Sequence, residues 1–155
     1  MIGEPLGKNT APAIAATLEY FKQNSKEDDV VLIVPADHLV NDVEGFNRTV
    51  AEGKILAEQG YIVTFGIKPN YPETGYGYIK TEKELSTGYK VEKFVEKPNF
   101  DTAKKYVESG AYYWNGGIFM GKMSTLLAEF QKYTPEIFSI LNQLDLSLIH
   151  ISEPT

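Results

Sequence analysis

Five consecutive apolar residues, Val30 to Val34, are the feature of this 155-residue sequence that most constrains its fold. Four of the five are β-branched, and the run lies between acidic residues and a proline. Such a run is typical of a strand that is buried on both faces, and strands of this kind occur in parallel sheets covered by helices. The sequence therefore predicts an α/β fold built around this strand.

A helical pattern precedes this strand, and a strand–helix–strand pattern begins with it. Apolar residues recur at Ile14, Leu18 and Phe21, which predicts a helix capped by Asn9 or Thr10. A second helix is predicted after the strand, with Asp42 as its cap and Gly60 at its end, followed by a buried strand from Tyr61 to Ile67. This order predicts parallel strands that are joined by a helical crossover.

The pattern changes in the second half of the chain. Two extended runs, 77–82 and 89–96, are joined by a short polar segment and predict an antiparallel pair. The remaining predicted elements are a short helix from Asp101, an extended run over 112–120 with a break at 115–117, a helix over 122–133 and a last helix from Pro135.

Composition excludes several functional classes. The hydrophobic share is 43%, as in soluble globular proteins, and no apolar run approaches the roughly twenty residues of a membrane span. A net charge of −6 argues against a nucleic-acid partner, because phosphate backbones select basic surfaces. The absence of cysteine excludes disulfides and thiolate chemistry and favours a reducing, cytoplasmic setting. We expect a single domain with no nucleic-acid or membrane partner.

Both ends of the chain depart from a complete doubly wound unit. The sequence opens almost directly on a helix, so we expect the N-terminal strand and the glycine-rich loop to be missing. Residues 146–155 fit neither a helical nor a strand face, and they resemble the translation of a sequencing adapter. We expect residues 1–145 to be a partial domain and residues 146–155 to be a non-native tail.

Charged groups occur where two of the predicted strands end. Asp37, in Pro-Ala-Asp-His at 35–38, offers a hard oxygen ligand for Mg²⁺, or simply caps a turn. Glu96 and Lys97, followed by Pro98, suit two sugar hydroxyls and a phosphate, or form a solvated charge pair. In an open α/β sheet, ligands bind at the edge where parallel strands end.

Glycines and an amide accompany these charges. Gly75 and Gly77 let the backbone approach a bound ring, or belong to a tight loop that tyrosines cover. Asn115 offers a donor and an acceptor to a sugar hydroxyl, or lies in a strand bulge beside a buried Trp114. The segment 3–12 leads into a helix N-terminus, which presents free N–H groups to a nucleotide or only forms a simple cap.

The order and spacing of these segments resemble the mannose-1-phosphate guanylyltransferases of the sugar nucleotidyltransferase family. The resemblance runs from about Gly3 to Ile140 and is carried by five segments, which are Glu-Pro-Leu-Gly-Lys-Asn-Thr-Ala-Pro-Ala-Ile, Pro-Ala-Asp-His, Pro-Glu-Thr-Gly-Tyr-Gly-Tyr-Ile, Phe-Val-Glu-Lys-Pro and Tyr-Tyr-Trp-Asn-Gly-Gly-Ile-Phe. It implies a Rossmann-like mixed, mostly parallel sheet with flanking helices. It also implies transfer of GMP from GTP to mannose 1-phosphate, which gives GDP-mannose and pyrophosphate.

The resemblance assigns roles residue by residue. Asp37 matches the magnesium-binding aspartate, Glu96 the partner of the sugar hydroxyls, and Lys97 the partner of the sugar phosphate. Asp37 and Lys97 are thereby the implied catalytic residues. The other implied substrate contacts are Gly75 and Gly77 over the sugar, Asn115 on the sugar side, and Asn9, Thr10 and Ala11 on the nucleoside side.

The sequence also departs from the family pattern. Gly116 stands where serine is usual, and the glycine-rich loop and a second metal-binding aspartate have no counterpart. We therefore expect little or no activity from this polypeptide alone. A non-catalytic sugar-nucleotide-binding subunit of the same fold and a transferase for another hexose 1-phosphate remain alternatives. Oligomeric state stays open, as does a following phosphomannose isomerase domain.

Overall fold

The computed structural model describes residues 10–24 and 28–141 of the chain. Its elements, in chain order, are α1 (Thr10–Asn24), β1 (Val30–Ile33), α2 (Val43–Glu58), β2 (Val63–Ile67), β3 (Tyr78–Glu84), β4 (Tyr89–Val95), α3 (Phe100–Ser109), β5 (Tyr112–Lys122), α4 (Met123–Tyr133) and α5 (Pro135–Leu141). The predicted alternation of helices and strands is therefore confirmed for the described residues. The predicted tail at 146–155 and the segment before Thr10 lie outside them.

The sheet is organised around β5 and is antiparallel. β5 pairs antiparallel with β1, β2 and β3, and β3 pairs antiparallel with β4. Met120 pairs with Leu32 of β1 and with Val63 of β2, so these two strands lie on opposite sides of β5. The α/β class is confirmed, but the prediction of a mostly parallel sheet is wrong.

The prediction of a parallel sheet failed because β5 is inserted between β1 and β2. The common direction of β1 and β2 was itself predicted correctly. β1 and β2 are joined through α2 and run in the same direction, as a helical crossover requires. The long strand β5 lies between them and runs the opposite way. The predicted burial of the first strand on both faces is also wrong, because its residues are only partly buried and Val34 is 51% exposed.

Two apolar clusters hold the helices against the sheet. One joins α1 to α4 and consists of Leu18, Met123, Leu126 and Leu127. The second lies under α3 and contains Tyr78, Ala103 and Trp114, which are all less than a tenth exposed. Apolar area removed from water is the main favourable term in folding, so these clusters hold α1, α3 and α4 in place.

Hydrogen bonds at helix ends set where the helices begin. The predicted cap Asp42 accepts from the backbone N–H of Gly45 at 2.8 Å. α4 is capped from a distance, because the Asp28 carboxylate accepts from both the N–H (2.8 Å) and the hydroxyl (2.7 Å) of Ser124. These bonds lower the pKa of the Asp28 carboxyl, with the Ser124 hydroxyl as the largest cause. The start of β1 is thereby attached to the first turn of α4.

β5 contains a bulge at the break predicted for residues 115–117. Thr64 of β2 pairs with Phe119, and Gly66 pairs with Asn115, so a step of two residues on β2 faces a step of four on β5. Gly117 takes up the extra length with φ of 66°, a left-handed conformation that favours glycine. The bulge is the local distortion that places Asn115 at the candidate site.

Candidate functional site

Asn115 is held by its backbone and by its side chain. Its N–H donates to the carbonyl of Gly77 at 2.8 Å, which joins the bulge in β5 to the loop before β3. Its Oδ1 accepts from the N–H of Gly117 at 3.1 Å and from the Thr64 hydroxyl at 3.3 Å. A backbone N–H can only donate, so this geometry fixes which end of the amide is oxygen.

The other end of the Asn115 amide is available for a ligand. Within the described part of the chain, its NH₂ group has no hydrogen-bond partner. Thr64 orients this amide, and sequence reasoning did not single it out. The signal that could have identified it is a hydroxyl-bearing residue inside an otherwise apolar strand.

Glu96 lies against Gly77. A Cβ atom built on Gly77 would be 2.9 Å from Glu96 Oε2 and 3.1 Å from the Phe94 ring. Gly77 is buried, and its carbonyl already accepts from Asn115. Gly77 is therefore adjacent to the Glu96 carboxylate and hydrogen-bonded to the backbone N–H of Asn115.

Lys97 completes this group in an unusual backbone conformation. Its φ is 41°, which makes it the one non-glycine residue with positive φ in the described chain. The following proline makes the conformation less favourable still. Neighbouring side chains of an extended strand point to opposite faces, yet the Lys97 ammonium is 3.8 Å from the Glu96 carboxylate. We infer that the left-handed turn brings both charges to one side.

The loop before β3 is stiffened by its own side chains. The Glu73 carboxylate accepts from the N–H of Gly75 at 2.7 Å, and the Glu73 carbonyl accepts from the hydroxyl of buried Tyr78 at 2.8 Å. The rings of Tyr71 and Tyr76 lie edge-on to Trp114, with centroids 4.9 and 5.5 Å away. Partial desolvation of the phenol is the main cause that raises the pKa of Tyr71 above its ordinary value. Trp114 is a buried support of the loop, as its alternative interpretation predicted.

Asp37 lies in the loop after β1 and is exposed. The loop approaches the bulge, because a Cβ on Gly117 would be 3.5 Å from Pro35. No three Asp, Glu or His side chains gather into a metal-binding group within residues 10–24 and 28–141. Mg²⁺ keeps several waters and often uses only one or two carboxylates, so a single exposed aspartate suits one position of its shell.

The nucleoside-side residues lie in a different place. Thr10 and Ala11 line an apolar groove of about 430 Å³ between α1, β1 and α4, together with Ile33 and Phe119. Asn9 lies outside the described residues. A second cavity of about 450 Å³, between α2, β2 and the β3–β4 hairpin, contains none of the predicted site residues.

The structure thus brings four of the predicted residues into a contiguous group, which we call the Gly77 cluster: Gly77, Glu96, Lys97 and Asn115. Gly75 belongs to the adjoining loop, and Asp37 lies in a separate loop whose Pro35 approaches the bulge at Gly117. Thr10 and Ala11 belong to the apolar groove and not to this cluster. The cluster contains one carboxylate, one ammonium and one amide NH₂, and each of these groups can bind a polar ligand.

Known proteins resemble this chain over most of its length. A family model described as nucleotidyl transferase matches residues 1–147. Mannose-1-phosphate guanylyltransferase 2 of Escherichia coli O157:H7 is 45% identical over 169 aligned positions, covering 99% of this chain and 35% of that protein. The Xanthan biosynthesis protein XanB of Xanthomonas campestris pv. campestris is 49% identical, covering 86% of this chain and 28% of that protein.

A solved structure shows the same fold. The crystal structure from Thermus thermophilus described as a mannose-1-phosphate geranyltransferase has a TM-score of 0.81 and 35% identity, over 90% of this chain and 41% of that chain. The present chain spans about a third of the length of the curated relatives. Among the described helices, none has the length and apolar character needed to cross a bilayer. On the match to the family model, the chain belongs to the nucleotidyl transferase family.

Proposed function

We propose that this chain carries the sugar-phosphate side of a mannose-1-phosphate guanylyltransferase. The whole enzyme would transfer GMP from GTP to mannose 1-phosphate and give GDP-mannose and pyrophosphate. The observation that carries the proposal is the Gly77 cluster, which presents complementary groups to a hexose phosphate. The names of the relatives point to the same substrate class.

The reaction needs positioning more than it needs a protein nucleophile. A phosphate oxygen of mannose 1-phosphate attacks the α-phosphorus of GTP in line, and pyrophosphate leaves. Both reactants are anions, so the barrier falls when the protein holds them together and neutralises their charge. Lys97 supplies positive charge to the sugar phosphate as a point charge. Glu96 and Asn115 orient the sugar by accepting from and donating to its hydroxyls.

Asp37 would hold Mg²⁺ with its carboxylate. When bound, the ion supplies positive charge at the phosphates of the nucleotide. Asp37 lies on an exposed loop beside the bulge, which suits a ligand that must reach both substrates. Thr10 and Ala11, in the first turn of α1, are proposed for the nucleoside side, as the family resemblance implies. Asn9, which lies outside the described residues, is proposed with them on the same resemblance. A cytoplasmic location is part of the proposal and rests on the absence of cysteine.

The first test is binding by the chain itself. Isothermal titration calorimetry with mannose 1-phosphate should show binding by the wild type and at least about tenfold weaker binding by Lys97→Ala, since a charged hydrogen bond is lost. Lys93→Ala is the matched control, because Lys93 is an exposed lysine of β4 outside the cluster. Absence of binding by the wild type, or equal losses in both variants, would refute the proposed site.

The second test concerns the metal and the choice of substrates. Asp37→Asn should weaken the binding of GTP in the presence of Mg²⁺ and leave the binding of mannose 1-phosphate unchanged. Titrations with ATP and with glucose 1-phosphate separate the proposed specificity from that of related transferases. Preference for glucose 1-phosphate over mannose 1-phosphate would overturn the assignment of the sugar.

A further inference from the structure

We infer that Gly77 is a positioning residue, which acts by leaving the space that the Glu96 carboxylate occupies. The inference rests on the proposed function, because it concerns how the sugar-binding carboxylate is placed. The sequence alone suggested that the glycines of this loop give room to a bound ring. At Gly77 the structure shows the room filled by side chains of the chain itself.

The contact is close enough to depend on the missing methyl group. A Cβ on Gly77 would be 2.9 Å from Glu96 Oε2, a separation that real Cβ atoms essentially never show. The same atom would be 3.1 Å from the Phe94 ring. Any side chain at this position therefore displaces Glu96, Phe94 or both.

The backbone around Gly77 is not free to yield instead. Its carbonyl accepts from the N–H of Asn115 at 2.8 Å. The next residue, Tyr78, is fully buried and pairs in register with Val95 on one side and Trp114 on the other. Strand pairing thus anchors Gly77 between the two strands that supply Glu96 and Asn115.

Gly77→Ala consequently moves the carboxylate and preserves the fold. Gly77 does not have positive φ, so alanine can adopt its backbone conformation. Glu96 is the group that gives way, because its carboxylate ends a flexible side chain that is 63% exposed. The variant keeps the cluster's residues and changes only where one of them lies.

The experiment measures mannose 1-phosphate binding by the whole chain in four forms: wild type, Gly77→Ala, Glu96→Ala and the double variant. Gly77→Ala should weaken binding about tenfold, as expected when a charged hydrogen bond is lost. In the Glu96→Ala background the same change should have no further effect, because the group it acts through is gone. Gly88→Ala is the control, since its Cβ would meet only Leu56, at 3.3 Å.

The outcomes separate this inference from the proposed function. Wild type that does not bind mannose 1-phosphate defeats the proposed function. Wild type that binds, together with unchanged binding by Gly77→Ala, overturns the positioning role alone. Equal losses from Gly77→Ala with and without Glu96 would also overturn it, because the methyl group would then be colliding with the ligand.

A second readout needs no ligand and covers the case in which Glu96→Ala binds too weakly to measure. The ¹³C resonance of the Glu96 carboxyl carbon should shift in Gly77→Ala and stay in place in Gly88→Ala. Thermal melts of both variants report whether the fold is kept. A folded Gly77→Ala protein with an unshifted Glu96 resonance contradicts the inference.

Discussion

The left-handed backbone at Lys97 allows strain and function to be separated by two substitutions at one position. Lys97→Gly and Lys97→Ala both remove the ammonium, but only glycine is at ease with φ of 41°. The left-handed region costs other residues roughly 1–2 kcal/mol. The greater freedom of glycine in the unfolded chain offsets about 0.5–1 kcal/mol of that. Lys97→Gly should therefore be more stable than Lys97→Ala by about 0.75 kcal/mol, the difference between the midpoints of these two ranges.

Thermal unfolding provides the assay. For a chain of this size, a difference of about 1 kcal/mol corresponds to a shift in Tm of about 2–4 °C. Both variants should bind mannose 1-phosphate equally weakly, because binding depends on the ammonium that both lack. Equal melting temperatures, or a more stable Lys97→Ala, would show that the backbone at this position is not strained. Retained binding by Lys97→Gly would show that the ammonium is not a ligand contact.

Three further predictions concern stability. Asp28→Ala should lower the free energy of unfolding by about 1 kcal/mol at neutral pH, as expected for a lost helix cap. Hydrogen bonding lowers the pKa of Asp28 in the folded chain, so its contribution to stability is present above the ordinary value of 3.8. That contribution is lost as the pH falls from 3.8 through the lowered folded pKa, so the melting temperatures of variant and wild type should converge in acid. Asp29→Ala is the control, since Asp29 uses only its backbone carbonyl, which accepts from Met123. Gly110→Ala should lower the free energy of unfolding, measured in urea, by about 1 kcal/mol. The left-handed φ of 68° is the whole cause, because a Cβ at this position would meet nothing within 4 Å. Gly116→Ser introduces the residue that the family resemblance leads us to expect at this position. It should nevertheless lower Tm, because its Cβ would be 2.9 Å from the Phe65 carbonyl oxygen. An unchanged Tm would contradict this expectation.

Local patterns predicted the elements well and their arrangement less well. Asp42 was identified as a cap because its side chain bonds within the next turn, and that bond is local. The direction of the sheet depends on β5, which is far from β1 and β2 along the chain and lies between them in space. A strand–helix–strand pattern predicts that two strands run the same way, but it contains no information about a strand inserted from elsewhere.

The candidate site shows the same limit. Asn115, Glu96 and Lys97 could be selected from the sequence because polar groups ended apolar runs. The contact of Glu96 with Gly77 could not be predicted, because it depends on the register of β3 against β4. The role of Thr64 likewise depends on a bulge whose length only the pairing reveals.

The central position of β5 means that ligand binding and sheet stability are thermodynamically linked. A ligand that binds only the folded chain adds about 2.7 kcal/mol of stability at a concentration one hundred times its Kd. Here the ligand would contact Asn115, which lies on β5, the strand that pairs with β1, β2 and β3. Binding would therefore stabilise the whole sheet. Hydrogen exchange should therefore slow in the amides of β1, although β1 contributes no group to the sugar.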